Sequence, residues 1–157
     1  AEELPADAYR DDVAANLAVA ERWVTEHSDT EFDFFLPPYS ILFWDKVIRE
    51  GRTEAVFAAI RQAGQTLLQY DNVKFYGYLM DPEIVTNLDN YCDYIHHSGG
   101  VCREILAMLQ REEGRLTEEN LEETLANWRE FVVHYDYDQF WDERFWIQWN
   151  AEHAAAP

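Results

Sequence analysis

Two cysteines and two histidines crowd into one short stretch, "CDYIHHSGGVC", where Cys92, His96, His97 and Cys102 stand close enough in sequence to share chemistry. Three chemistries fit those residue types. Cys92 and Cys102 flank "HHSGG", and across a helical hairpin they would face each other. A disulfide there would close a loop of about ten residues and contribute roughly 2–3 kcal/mol in the chain-entropy model. The same cysteines read equally well as free thiols packed as small apolar side chains. Zinc would accept these thiolates and imidazoles, but C-x3-H-H-x4-C matches no common finger or ribbon spacing and lacks a second cysteine pair. No metal or other cofactor is therefore expected, and His96 and His97 read as turn residues near a helix end.

A second candidate is "HYDYD", which sets His134, Asp136 and Asp138 at alternating positions. On a strand they would project together; on a helix they point apart. The stretch falls at a junction between helices, so Asp138 is read as an N-cap and Asp136 as solvated. Nucleophile elbows, phosphate-binding glycine loops, zinc-protease helices and dinucleotide fingerprints are missing from the sequence, so a catalytic role is not favoured.

The third candidate lies in "VVHYDYDQFWDERFWIQW". On a helix beginning after Asp138, Trp141, Phe145 and Trp149 form one stripe, broadened by Phe140 and Ile147, which suits a core. Trp146 falls on the opposite side, with Gln139, Asp142, Glu143 and Asn150 as neighbours at helical spacing. A large aromatic among acids suits an anchor for a basic protein partner. The competing reading covers Trp146 with "AEELP" or with the C-terminal tail.

Those residues need a frame, and composition bounds it. The chain has 157 residues, 12 Lys and Arg against 31 Asp and Glu, and a net charge of −19. Such a field repels phosphates and anionic headgroups, so direct nucleic-acid binding is not expected. A basic partner, nucleic-acid mimicry and salt adaptation each account for the acidity, and only Lys46 and Lys74 are lysines. No apolar run is long enough for a membrane span. "AEELPADAYR" reads as a mature end left by signal removal, which favours a periplasmic or secreted protein.

Apolar periodicity predicts a helix from about Pro5 to Glu26 on Tyr9, Val13, Leu17, Ala20, Trp23 and Val24. A second helix lies in "YSILFWDKVIRE", and a third is capped by Thr53 and runs through Leu68, with Gly64 admitting a close neighbour or costing stability. Asp81-Pro82-Glu83 opens a fourth that buries Ile84, Leu88, Tyr91, Cys92 and Ile95. "VCREILAMLQREE" returns beside it, and Thr117 caps the next, whose stripe is Leu121, Leu125, Trp128, Phe131 and Val132. "NVKFYGYLM" resists amphipathic reading and suits an extended segment beside "EFDFF". The expected fold is all-α, a single compact domain over residues 1–157 with six or seven bundled helices and at most a minor two-stranded element.

The function expected from these observations is an acidic protein-binding module, of the inhibitor or immunity type, that occludes a basic surface of a cognate protein. Nucleic-acid mimicry is a sub-case. One alternative is an enzyme or small-ligand-binding protein whose pocket is lined by Tyr76, Tyr78, Tyr91, Tyr94 and His134; another is a structural subunit of a salt-adapted assembly.

Overall fold

A three-stranded sheet lies at the centre of the chain, which the computed structural model describes over residues 2–142. Strand β1 (Phe32–Phe35) pairs with β2 (Val73–Tyr76) in parallel, Phe32 opposite Val73 and Phe35 opposite Tyr76. The short β3 (Arg115–Leu116) adds to β2 in antiparallel fashion, Phe75 opposite Leu116. This sheet corrects the all-α expectation: the molecule is helix-rich but mixed α/β, with six helices around the sheet among the described residues.

The physical reason lies in residue type and connection length. "FDFF" and "VKFY" are aromatic and β-branched runs that pack well on a pleated surface. Parallel strands need a long crossover, supplied here by α2 (Ile41–Arg49) and α3 (Thr53–Leu67) between β1 and β2. "EFDFF" and "NVKFYGYLM" do lie side by side, but the parallel direction and the third strand are additions of the tertiary structure.

Helix α1 (Arg10–Glu26) packs on α3, and α3 packs on α6 (Leu121–His134). An ideal Cβ on Gly64 would stand 2.8 Å from a methyl of Leu121, so this glycine is what lets α3 and α6 approach so closely. Trp44 is fully buried, with ring centroids 5.2 Å from Phe57 and 6.0 Å from Trp128, at the junction of α2, α3 and α6. The carboxamide of Asn72 donates to the carbonyls of Val24, His27 and Thr30, tying the end of α1 to the start of β2. Trp23, expected on the buried face of α1, is instead 49% exposed; Val24 carries the buried contact.

The long fourth helix does not form. Its α-helical part is one turn, α4 (Pro82–Val85), capped by Asp81 as the sequence implies. Beyond it, short polar side chains capture backbone groups that a helix would have used. Asn87 accepts from Asp89 N–H, and Asn90 donates to the Ile84 carbonyl. The chain then makes a 3-10 turn at Leu88–Asn90 and loops to Ser98 before α5 (Gly99–Gln110). Cys92 and Cys102 consequently do not flank a helical hairpin, and both are exposed free thiols.

Candidate functional site

The loop before α5 is built from Asp93 outward. Asp93 Oδ1 accepts from the backbone N–H of Ile95 at 2.8 Å and of His96 at 2.7 Å, a turn that an aspartate makes with its own chain. That turn carries the His96 ring back over the carboxylate, and His96 Nδ1 meets Asp93 Oδ2 at 2.6 Å. The two backbone and side-chain bonds from His96, joined by the Ile95 amide, hold the Asp93 carboxyl down to about 2. The imidazole remains 69% exposed. In the tautomer whose Nδ1–H donates to the carboxylate, the lone pair lies on Nε2, which has no hydrogen-bond partner among the described residues.

The dyad is fixed to the fold at the carboxyl end of β1. Ser40, fully buried, donates both its hydroxyl (2.9 Å) and its backbone N–H (3.1 Å) to the Tyr94 carbonyl. Tyr91 O–H donates to the Pro38 carbonyl at 2.9 Å, and burial pushes that phenol up, with the Asp81 charge adding to the shift. The loop closes on itself through Cys92 N–H to His96 O at 3.0 Å and an antiparallel bridge between Tyr91 and His97. In open α/β sheets, ligands gather beyond the carboxyl ends of parallel strands. Pro37-Pro38 and Ser40 lead out of β1 at that end, so the turn that follows β1 holds Asp93 and His96 in place.

Chemically, a carboxylate that orients an imidazole through Nδ1 and leaves Nε2 open is the arrangement of a general base. The two cysteines lie in and beside the same loop, but neither thiol meets the His96 ring. Cys102 Sγ is 3.7 Å from His97 Nδ1, and Cys92 Sγ is 3.3 Å from the His96 carbonyl. No group of three or more potential metal ligands gathers among the described residues. His134 ends α6, with Nδ1 3.0 Å from the Glu130 carbonyl oxygen and 3.2 Å from its carboxylate, away from Asp136 and Asp138. Asp138 opens a short 3-10 turn to Trp141, and Tyr137 rather than Asp138 occupies the capping position.

Of the aromatic and acidic face, Gln139 and Asp142 are half-buried, and Gln139 donates to the Asp136 carbonyl. Trp146, Glu143 and Asn150 lie outside the described residues, as do Phe145, Ile147 and Trp149. The tyrosine pocket divides: Tyr76 and Tyr78 stack on each other in a buried cluster, Tyr91 is held by Pro38, and Tyr94 is exposed beside Lys46.

The pair Asp93 and His96 escaped the sequence reading, which treated His96 as a turn residue. The signal was an aspartate three positions before a histidine inside a run of Asn and Asp.

Comparison with known proteins gives a limited likeness. No family model matches the chain, and no solved structure matches it. Two curated relatives are similar, the UPF0735 ACT domain-containing proteins of Lacticaseibacillus casei and Lacticaseibacillus paracasei, each 24% identical over 90 residues, or 57% of this chain. The match spans 62% of the length of each relative. No described helix is long and apolar enough to cross a membrane.

Proposed function

We propose that this chain carries the acid–base half of an acyl-transfer site, with His96 as general base and Asp93 as its positioning residue. The observation that supports this reading most directly is the 2.6 Å contact from His96 Nδ1 to an Asp93 carboxylate whose other oxygen is fixed by two backbone amides. His96 Nε2 takes the proton from an attacking hydroxyl or water as its oxygen bonds to an ester carbonyl carbon. The same proton passes to the departing alkoxide as the carbon–oxygen bond breaks, so an ester and water yield acid and alcohol, and an ester and a second alcohol yield a new ester and the first alcohol. No serine, threonine or cysteine hydroxyl or thiol contacts His96 Nε2 among the described residues. The attacking oxygen is therefore that of water or of a second, alcohol substrate, since the residues outside 2–142 carry no hydroxyl side chain.

Hydrolysis of p-nitrophenyl acetate by the full chain tests the proposal. His96→Gln should lower the rate by about 100-fold or more, the lower range for general-base catalysis. Asp93→Asn should lower it less, because the imidazole remains but loses its orienting partner. Equal rates in wild type and His96→Gln would remove the reading.

A second reading concerns the surface, and the net charge of −19 favours it. In this reading the acidic face around Trp146, with Asp142 and Glu143 steering association, contacts a basic protein partner that the chain inhibits or neutralises. Trp146→Ala, if still folded, should then weaken binding of the isolated partner by about 2 kcal/mol or more. Unchanged affinity would exclude that face.

A further inference from the structure

One depression lies beside the loop that carries the dyad, lined by Tyr94 and Ile95 but not by Asp93 or His96. Between α2 and the Tyr94–Ile95 backbone lies a pocket of about 220 Å³, walled by the rings of Tyr39, Phe43 and Tyr94, by Ile95, and by two cations, Lys46 and Arg52. Tyr94 and Ile95 are the two residues between Asp93 and His96. One of the chain's two lysines thus stands here, in a sequence otherwise dominated by acids.

Neither cation is fully satisfied by the protein. Lys46 Nζ makes three long contacts, 3.9 Å to Glu50, 3.5 Å to the Tyr94 hydroxyl and 4.8 Å to the Tyr94 ring centroid. Arg52 Nη1 donates to Glu50 at 2.8 Å and its guanidinium stands 5.8 Å from the Tyr9 ring centroid, but its Nε–H is buried without a hydrogen-bond acceptor. A buried donor left unpaired costs stability that an arriving acceptor would recover. Two cations against the single Glu50 carboxylate leave one positive charge, which matches a monoanion. A phosphate dianion would exceed that charge and meet the repulsion of Glu50. The three aromatic rings suit an apolar or planar body attached to that anion.

We propose that this pocket binds an organic carboxylate, and that the ester acted on at His96 carries a carboxylate group seated between Lys46 and Arg52. This substrate assignment rests on the acid–base reading of Asp93 and His96; the carboxylate pocket itself does not.

Titration with benzoate, followed by backbone and side-chain NMR, tests it, with benzyl alcohol as the neutral counterpart. Benzoate should shift the Ile95 and Lys46 resonances saturably, and its affinity should fall at least tenfold in Arg52→Gln and in Lys46→Gln. Lys46 is exposed, so its variant keeps the fold even if loss of the Arg52 bridge to Glu50 disturbs it. His96→Gln should bind benzoate as the wild type does. Benzyl alcohol binding as tightly as benzoate, or benzoate binding unchanged in both cation variants, overturns the proposal. Benzoate bound beside an inert His96 would keep the pocket and remove the catalytic reading, whereas an active His96 with no benzoate binding would do the reverse.

Discussion

Helix α3 and the stretch from Pro82 to Ser98 present similar apolar spacing, yet the first becomes a helix of 15 residues and the second holds a single α-turn. The difference lies in the polar residues between the apolar ones. In α3 they are long, and they reach other elements: Arg61 and Gln65 bond Glu122 of α6, and Gln62 donates to the Arg10 carbonyl of α1. In the second stretch they include Asn87, Asn90 and Asp93, whose short side chains compete for nearby backbone groups. Apolar spacing describes which face would be buried if a helix formed. Short polar side chains decide whether it does. The stretch that gives up its helix is also the one that gains a carboxylate–imidazole pair.

That contrast predicts opposite responses to substitution. The largest effect belongs to the helical frame, where Trp44→Ala would empty the contact among α2, α3 and α6. A fully buried tryptophan removed from such a site should cost about 3–5 kcal/mol in denaturant unfolding. A loss below about 1 kcal/mol would mean that the core is not organised around this ring. Gly64→Ala should cost less, about 1–3 kcal/mol, because Leu121 must leave the space that a Cβ would take. Replacement without cost would mean that α3 and α6 slide apart freely. Shortening Leu121 in the same molecule should return part of the loss, and a purely additive double mutant would argue against contact between the two.

The same contrast explains what the sequence made visible. α3 and α6 were legible because their apolar faces find partners, and the predicted bounds of α3 lie within a residue of the observed ones. The Thr117 cap expected for α6 is displaced: Asn120 holds the cap position without a side-chain bond into the helix, while Thr117 and Asn120 each accept from the other's backbone N–H in the turn that precedes it. β3 was not legible, since two residues carry no periodicity and their pairing depends on Gly114, whose positive φ of 71° turns the chain back toward β2. Asp93 and His96 were hidden for a different reason. The expected helix would have set them one turn apart on a solvated face, and only the collapse of that helix into an aspartate turn makes the contact specific.

The smallest expected effect is local and depends on pH. Asp93 is held down to about 2, below the ordinary carboxylate value of 3.8, by the two His96 bonds and the Ile95 amide. A carboxyl whose folded value is depressed binds fewer protons folded than unfolded. Its contribution to loop stability is therefore complete above the ordinary value and is lost as pH falls through about 2. The Ile95 and His96 amides that bond Oδ1 report this directly. Their hydrogen-exchange protection should decline between about pH 4 and pH 2, ahead of the α3 amides, which depend on no carboxylate turn. Glu112 and Glu113 are also depressed, by Lys74 and by Arg111 respectively, but they lie near the β3 turn and do not touch these two amides. Asp93→Asn keeps an acceptor oxygen and removes the titrating charge, so it should flatten the pH dependence at Ile95 and His96 while leaving α3 unchanged. If the decline persists in that variant, the loop is held by something other than the Asp93 carboxylate, and the proposed orientation of His96 goes with it.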